Sequence, residues 1–241
     1  MVTKNKISAI IPARSGSKGI PNKNIRNFCG KPLIFYPISV AKKSGVFDRI
    51  IVDTDSEEIA KIGKRFGAQV PYLRPKQLAT DNSVVIDAVL LLLERLKADG
   101  YIPDIVSLLQ TTSPLREVED VLDCYKLLQK SGVDSVVTVC ESHPRFYHLE
   151  SDGKLVLVNK ETENMINRQQ VPMGYILNGC IVYMIKTSAF LKKKLFIYNG
   201  TYAVVCPKWR SVDLDNIEDW VHAEILYKNK DLIKRRLKSF K

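Results

Sequence analysis

Four short runs rich in β-branched residues and leucine, at 7–11, 49–53, 105–109 and 135–139, alternate with segments whose apolar residues recur at helical spacing. Apolar runs of this length suit strands covered on both faces, and parallel neighbours need a crossover segment between them. Ile59, Ile62, Gly63 and Phe66 fall at i, i+3, i+4 and i+7, with Asp55 as the expected N-cap and Glu58 three residues on. Val118, Val121, Leu122, Tyr125 and Leu128 repeat the spacing behind Glu117, Glu119 and Asp120, which mark an acidic amino-terminal end. The alternation predicts an α/β fold with a mostly parallel, Rossmann-like nucleotide-binding sheet.

At 241 residues the chain fits one domain spanning 1–241. After Cys140 the rhythm changes: His143-Pro144, Asp152-Gly153 and Val171-Pro172-Met173-Gly174 punctuate short extended runs. Approximately 141–176 therefore reads as an inserted hairpin or arm, expected to form a homodimer contact. A helical pattern returns over 217–226, directly after Asp213 and Asp215.

Several classes lose support. The longest apolar stretch, 88–93, is closed by Asp87 and Glu94 and is far too short to span a bilayer, so no membrane partner is expected. No secretory segment precedes the first strand-like run, which predicts a cytoplasmic protein. Cys29, Cys124, Cys140, Cys180 and Cys206 are scattered without a CxxC pair, as reduced core thiols would be. The net charge of +11 draws heavily on Lys228, Lys230, Lys234, Arg235, Arg236, Lys238 and Lys241 near the carboxyl end. That cluster reads as a solvated basic helix; without interleaved aromatics it argues against a nucleic-acid partner. A basic surface would also steer polyanionic substrates toward the protein.

The chemistry concentrates where the first strand ends. Residues 12–24, Pro-Ala-Arg-Ser-Gly-Ser-Lys-Gly-Ile-Pro-Asn-Lys-Asn, combine two glycines with three basic side chains. Glycines let backbone amides approach phosphate oxygens, and Arg14 and Lys23 can neutralise charge on a departing pyrophosphate. Neither GxxxxGK[ST] nor GxGxxG occurs, so the ATPase and dinucleotide readings weaken.

The run from Ile11 to Asn24 closely resembles the signature of the acylneuraminate cytidylyltransferases, also called CMP-sialic acid synthetases. The resemblance continues in that family's order through Leu73-Arg74-Pro75, Leu78-Ala79-Thr80-Asp81, Leu108-Leu109-Gln110-Thr111-Thr112-Ser113-Pro114-Leu115-Arg116, Asn167-Arg168-Gln169-Gln170, Asn178-Gly179 and Asp213-Leu214-Asp215. Relatives that activate the eight-carbon acid Kdo look less similar, because their loop lacks the Ser-Lys-Gly-Ile-Pro-Asn-Lys-Asn run.

The resemblance implies transfer of CMP from CTP to the anomeric hydroxyl of a nine-carbon acidic sugar, with Mg²⁺ and release of pyrophosphate. It implies that Arg14, Lys23 and Asp215 carry the catalysis. Arg14 and Lys23 would hold the triphosphate, helped by Asn24 and the backbone around Ala13 and Gly16. Arg74 and the 78–83 loop, through Ala79 and Ser83, would hold the cytosine ring; taken alone, Arg74 could equally be a surface cation. Gln110, Thr112 and Ser113 follow a strand at the carboxyl-end position where open α/β sheets bind ligands, and would face the sugar with Asn178. Arg168 would pair with the sugar carboxylate bidentately, though its residue type fits a solvated loop arginine as well. Asp213 and Asp215 would be the Mg²⁺ ligands; spacing alone also allows a turn capping the helix behind them.

The chain departs from the family pattern in three places. Thr111 stands where a proline is common, Phe146 where a lysine often follows His-Pro, and Val182 precedes Tyr183. Legionaminic, pseudaminic or another modified nonulosonic acid therefore fits as well as sialic acid. Kdo or another sugar acceptor is the alternative within cytidylyltransferases, and a basic nucleic-acid-binding protein is the remote one.

Overall fold

The computed structural model describes residues 5–143, 145–159, 171–177, 179 and 181–240. Strand β1, Ile7–Pro12, pairs in parallel with β4, Arg49–Asp53, on one side and with β5, Ile105–Leu108, on the other. Between β1 and β4 lie the two-residue strands β2, Asn27–Phe28, and β3, Lys31–Pro32, and helix α1, Phe35–Ser44. Helices α2, Glu57–Arg65, and α3, Val85–Ala98, connect β4 to β5. Helix α4, Val118–Leu128, leads from β5 to β6, Ser135–Ser142.

All four strands expected from their apolar runs are thus present, with ends differing by a few residues. Beyond β6 come a separate hairpin of β7, Tyr147–Leu149, with β8, Leu155–Leu157, and then β9, Gly174–Ile176, antiparallel to β6. Strand β10, Tyr183–Lys186, inserts antiparallel between β5 and β6, and β11, Tyr202–Val205, continues parallel on the far side of β6. The main sheet runs β11-β6-β10-β5-β1-β4 and is mostly parallel, with β10 reversed. Helix α5, Thr187–Lys193, follows β10; α6, Ile217–Lys228, and α7, Lys230–Ser239, close the chain.

The period-2 alternation of β1 sorts the core. Ile7, Ala9 and Ile11 face one side with Ile34, Ile38 and Ala41 from the α1 region and Val121 and Cys124 of α4. Ile10 faces the other with Val89, Leu92 and Leu96 of α3 and Phe190 of α5. Helices therefore cover both faces, and the chain leaves β1 toward one face before returning over the other. That divergence opens a crevice at the carboxyl ends of β1 and β5, the place where open α/β sheets bind ligands.

A third apolar cluster packs against the loop that leaves β1. Ile20 from the loop after β1 packs with Phe28, Leu33, Leu115, Val212, Leu214 and Trp220. Val212 and Leu214 are buried, so the alternating chain turns Asp213 and Asp215 away from this cluster. Apolar burial at one end of the chain thereby orients acidic residues drawn from the other.

One helix starts differently from expectation. The N-cap of α2 is Ser56, whose Oγ accepts from the Ile59 amide at 3.3 Å. Asp55 caps nothing there: its carboxylate accepts from the Ser15 amide at 2.8 Å and the Ser15 hydroxyl at 2.6 Å. The chain supplies two adjacent capping residues, and the anionic one is drawn to the loop's free donors.

Candidate functional site

The loop after β1 is fixed at several points by short, identifiable contacts. Ala13 donates its amide to Asp53 O at 2.9 Å, which continues the β1–β4 pairing one step past the strand. Asn24, only 6% exposed, donates to Arg14 O at 2.8 Å and accepts from the Thr111 hydroxyl at 2.6 Å. One amide side chain thus ties the loop's two ends together and links them to the segment after β5.

The same loop meets the acidic segment from the far end of the chain. Lys23 Nζ donates to Leu214 O at 2.6 Å across 191 residues of sequence. Gly19 lies flush against that backbone: a Cβ there would sit 1.9 Å from Asp215 O. Gly179 meets the same segment three residues earlier, since a Cβ there would lie 2.5 Å from Val212 O, and its φ of +53° suits glycine.

These contacts bound a cleft of about 470 Å³. Arg14, Lys18, Lys23 and Arg74 bring positive charge to its walls, and Asp213 and Asp215 bring negative charge. Asn24, Ser83, Gln110 and Thr112 add neutral donors and acceptors.

The remaining expected residues sit elsewhere. Ala13 and Gly16 do not line the cleft, and the Ala13 amide is already used by Asp53. Ala79 stands behind the wall and accepts from Arg14 Nη1 at 3.3 Å. Ser113 is 1% exposed and donates to Gly179 O at 2.9 Å, so its hydroxyl supports the fold of the 179 turn. Arg168 and Asn178, with Cys180, lie outside the described residues.

Arg74 is a buried cation, 8% exposed, and so differs from the surface residue its type alone allowed. Its Nε and Nη2 both bond the Asp53 carboxylate, at 3.1 and 2.6 Å, and Nη2 also reaches Asp53 O at 3.2 Å. The fork is thereby locked in one orientation at the cleft wall.

The acidic pair is not spent on capping. Asn216 caps α6 by accepting from the Asp219 amide at 3.0 Å, and the Asp219 carboxylate accepts from the amides of Asp215 and Asn216 at 3.0 Å. The side chains of Asp213 and Asp215 remain for the cleft. Burial pushes the Asp213 carboxyl above the ordinary carboxylate range; Asp215 adds to this, while a Thr112 hydrogen bond and Lys23 oppose it. Burial likewise pulls the Lys23 ammonium down, against the two aspartates.

Asp213 Oδ1 is a buried oxygen with no hydrogen-bond partner among the described residues. An acidic oxygen in that position suits a hard cation, which takes oxygen ligands. Among the described residues no group of three or more His, Cys, Asp or Glu side chains converges. Among the described residues, Asp213 and Asp215 are the carboxylates that line the cleft.

Sequence reasoning passed over Asp53 and Asp81, which orient cations of the cleft, and gave Asp55 a helix cap instead of its hold on Ser15. Asp81 pairs with Arg14 Nη2 at 2.8 Å and Lys18 Nζ at 3.1 Å. Each lies in a quoted or adjacent motif, yet only tertiary pairing reveals its partner.

Comparison with known proteins follows the same lines. A family model described as cytidylyltransferase matches residues 8–232. The chain is 37% identical over 226 residues to the CMP-N,N'-diacetyllegionaminic acid synthase of Legionella pneumophila, covering 92% of this chain and 96% of that one. It is 35% identical over 217 residues to the N-acylneuraminate cytidylyltransferase of Streptococcus agalactiae; this covers 88% of the chain but about half, 51%, of the relative. Its fold matches that of CMP:2-keto-3-deoxy-manno-octonic acid synthetase complexed with CTP, with a TM-score of 0.66 at 16% identity over 93% of this chain and 99% of that one.

Proposed function

The chain belongs to the cytidylyltransferase family, and from that premise we propose that it transfers CMP from CTP to the anomeric hydroxyl of a nonulosonic, sialic-acid-like acid. The carrying observation is that the loop after β1 and the Asp213–Asp215 segment form one cleft, joined by Lys23 Nζ to Leu214 O at 2.6 Å and by Gly19 against Asp215. The sugar oxygen forms a bond to the α-phosphorus, the bond to the β-phosphate oxygen breaks, and the hydroxyl proton is released.

Arg14 and Lys23 hold the triphosphate and neutralise the leaving pyrophosphate, work that is mostly positioning and charge compensation. Asn24 keeps that loop in register through Arg14 O and Thr111. Arg74, held by Asp53, and the 78–83 turn through Ser83 read the cytosine edge, with Ala79 behind them holding Arg14. Gln110 and Thr112 face the sugar, joined by Arg168 and Asn178, with Arg168 toward its carboxylate.

The unpartnered Asp213 Oδ1 and the two-carboxylate donor set fit Mg²⁺, which Asp213 and Asp215 would hold. Bound there, the ion supplies charge neutralisation and orientation for the phosphates. Asp215 thereby joins Arg14 and Lys23 in carrying the reaction.

The acceptor is a legionaminic-type or a related acid: the similarity to a diacetyllegionaminic acid synthase supports this, as does Phe146 where sialic-acid relatives often carry lysine. CTP is an intracellular metabolite, so the reaction belongs in the cytoplasm; among the described residues no helix is long and apolar enough to cross a membrane. The inserted segment at 141–176 serves a homodimer. Tyr147, Leu149, Leu155 and Tyr175, between 50% and 64% exposed, give it an apolar surface that a second copy would cover.

The test is to incubate the purified protein with CTP, Mg²⁺ and a panel of nine-carbon acids and identify products by mass. The reading expects a CMP-sugar and pyrophosphate, with ATP and GTP inactive. Formation of product only with Kdo or a sugar 1-phosphate would overturn the acceptor assignment.

A further inference from the structure

Two of the cations that face the cleft are already held by a side chain with no assigned part in the chemistry. The Asp81 carboxylate receives Arg14 Nη2 on Oδ1 at 2.8 Å and Lys18 Nζ on Oδ2 at 3.1 Å. Each carboxylate oxygen takes one cation, so the group spans both as a bridging phosphate would. Hydrogen bonds from Arg14 and then Lys18 hold the Asp81 carboxyl below its usual range, which keeps it anionic.

The backbone beneath Asp81 forms a compact turn. Ser83 N donates to Thr80 O at 3.1 Å, and Ser83 Oγ bonds Thr80 N at 3.1 Å and Gln77 O at 2.9 Å. Asp81 sits at the tip of this turn, with its side chain 40% exposed. The base of the turn is tied by its own hydrogen bonds, and its tip is tied to the loop after β1 by charge pairs plus Arg14 Nη1 to Ala79 O at 3.3 Å.

We propose that Asp81 is an internal anion that competes with nucleotide phosphates and pyrophosphate for Arg14 and Lys18. This rests on the reading that Arg14 holds the triphosphate, with Lys18 beside it in the cleft wall. A hydrogen given to Asp81 cannot also be given to a phosphate oxygen, so binding a polyphosphate exchanges one anion for another. A triphosphate carries more charge than the carboxylate and wins the exchange. After transfer, Asp81 takes back the same two cations and loosens their hold on pyrophosphate. The residue is a positioning residue that lowers affinity for phosphates and speeds product release.

Titration of wild type and Asp81→Asn with inorganic pyrophosphate, at fixed salt and Mg²⁺, tests this, together with KM for CTP and product inhibition. The expected result is that Asp81→Asn binds pyrophosphate and CTP about three- to tenfold more tightly, the scale of one or two exposed charge pairs. Asp81→Glu, which keeps the anion, should stay near wild type. In a Lys18→Met background the effect of Asp81→Asn should shrink, because one of its two partners is gone. Unchanged or weaker pyrophosphate binding by a folded Asp81→Asn variant would overturn the proposal. If wild type itself bound neither CTP nor pyrophosphate, the functional reading would fail instead, so the two failures are distinct.

Discussion

Asp213 and Asp215 face the cleft because Val212 and Leu214 do not. Leu214 is fully buried, and truncating a buried leucine to alanine costs about 2–5 kcal/mol. The aspartates thus have their direction set by apolar neighbours in sequence. Gly19 permits the loop to reach them, since any side chain there would collide with Asp215 O. Gly19→Ala should lower turnover about a hundredfold or more by displacing either the loop or the acidic segment; a 1 Å misplacement near the chemistry has that scale. Steady-state turnover beside circular dichroism checks this, and near wild-type activity would show that the close approach is dispensable. Spacing alone showed Asp213 as an acidic residue before a helix, where a capping aspartate looks the same; only the family resemblance suggested a metal ligand. Asp213→Asn should remove the stabilisation that Mg²⁺ and CTP give together, about 2.7 kcal/mol at a hundredfold over Kd, measured by thermal melts with and without the pair.

At the scale of elements, the strands with continuous β-branched runs were readable and the later ones were not. β10 and β11 are four residues each and follow the hairpin region, where turn signals crowd the sequence. The antiparallel insertion of β10 between β5 and β6 depends on pairing that no local pattern encodes. The start of α2 separates two jobs that sequence reading merged. Ser56→Ala should cost about 1 kcal/mol of stability, the worth of a cap, and leave activity at ordinary temperatures near wild type. Asp55→Ala should leave the helix intact and lower activity, because it releases Ser15 and with it the loop. Denaturation midpoints set against turnover distinguish the pair. Arg210 and Asp120 form a buried ion pair that fastens the segment before Asp213 to the start of α4. Arg210→Ala should destabilise by about 3–5 kcal/mol in chemical denaturation, because it strands a buried carboxylate.

Over the whole molecule, what sequence spacing could not give is the meeting of distant segments. Lys23 and Leu214 touch across 191 residues, and only a resemblance to known enzymes brought their two segments to one site beforehand. Arg168 and Asn178, expected at the sugar, lie outside the described residues, so their assignment still stands on that resemblance. The basic carboxyl-terminal cluster behaves as a surface: α7 buries none of its residues, and Lys234 ion-pairs with Glu117. The arm makes a prediction at this scale. On the proposed homodimer, the wild type should scatter light as a dimer and Leu149→Asp combined with Leu155→Asp as a monomer, with the fold of the main sheet retained by circular dichroism; a monomeric wild type would contradict the proposal. The account's central claim is that the loop after β1 and the Asp213–Asp215 segment grip one nucleotide between them. A crystal structure with CTP and Mn²⁺ in place of Mg²⁺ tests it most directly. The account predicts an anomalous manganese peak bound by Asp213 and Asp215, with the triphosphate on Arg14 and Lys23; phosphates or metal seated away from either segment would contradict it.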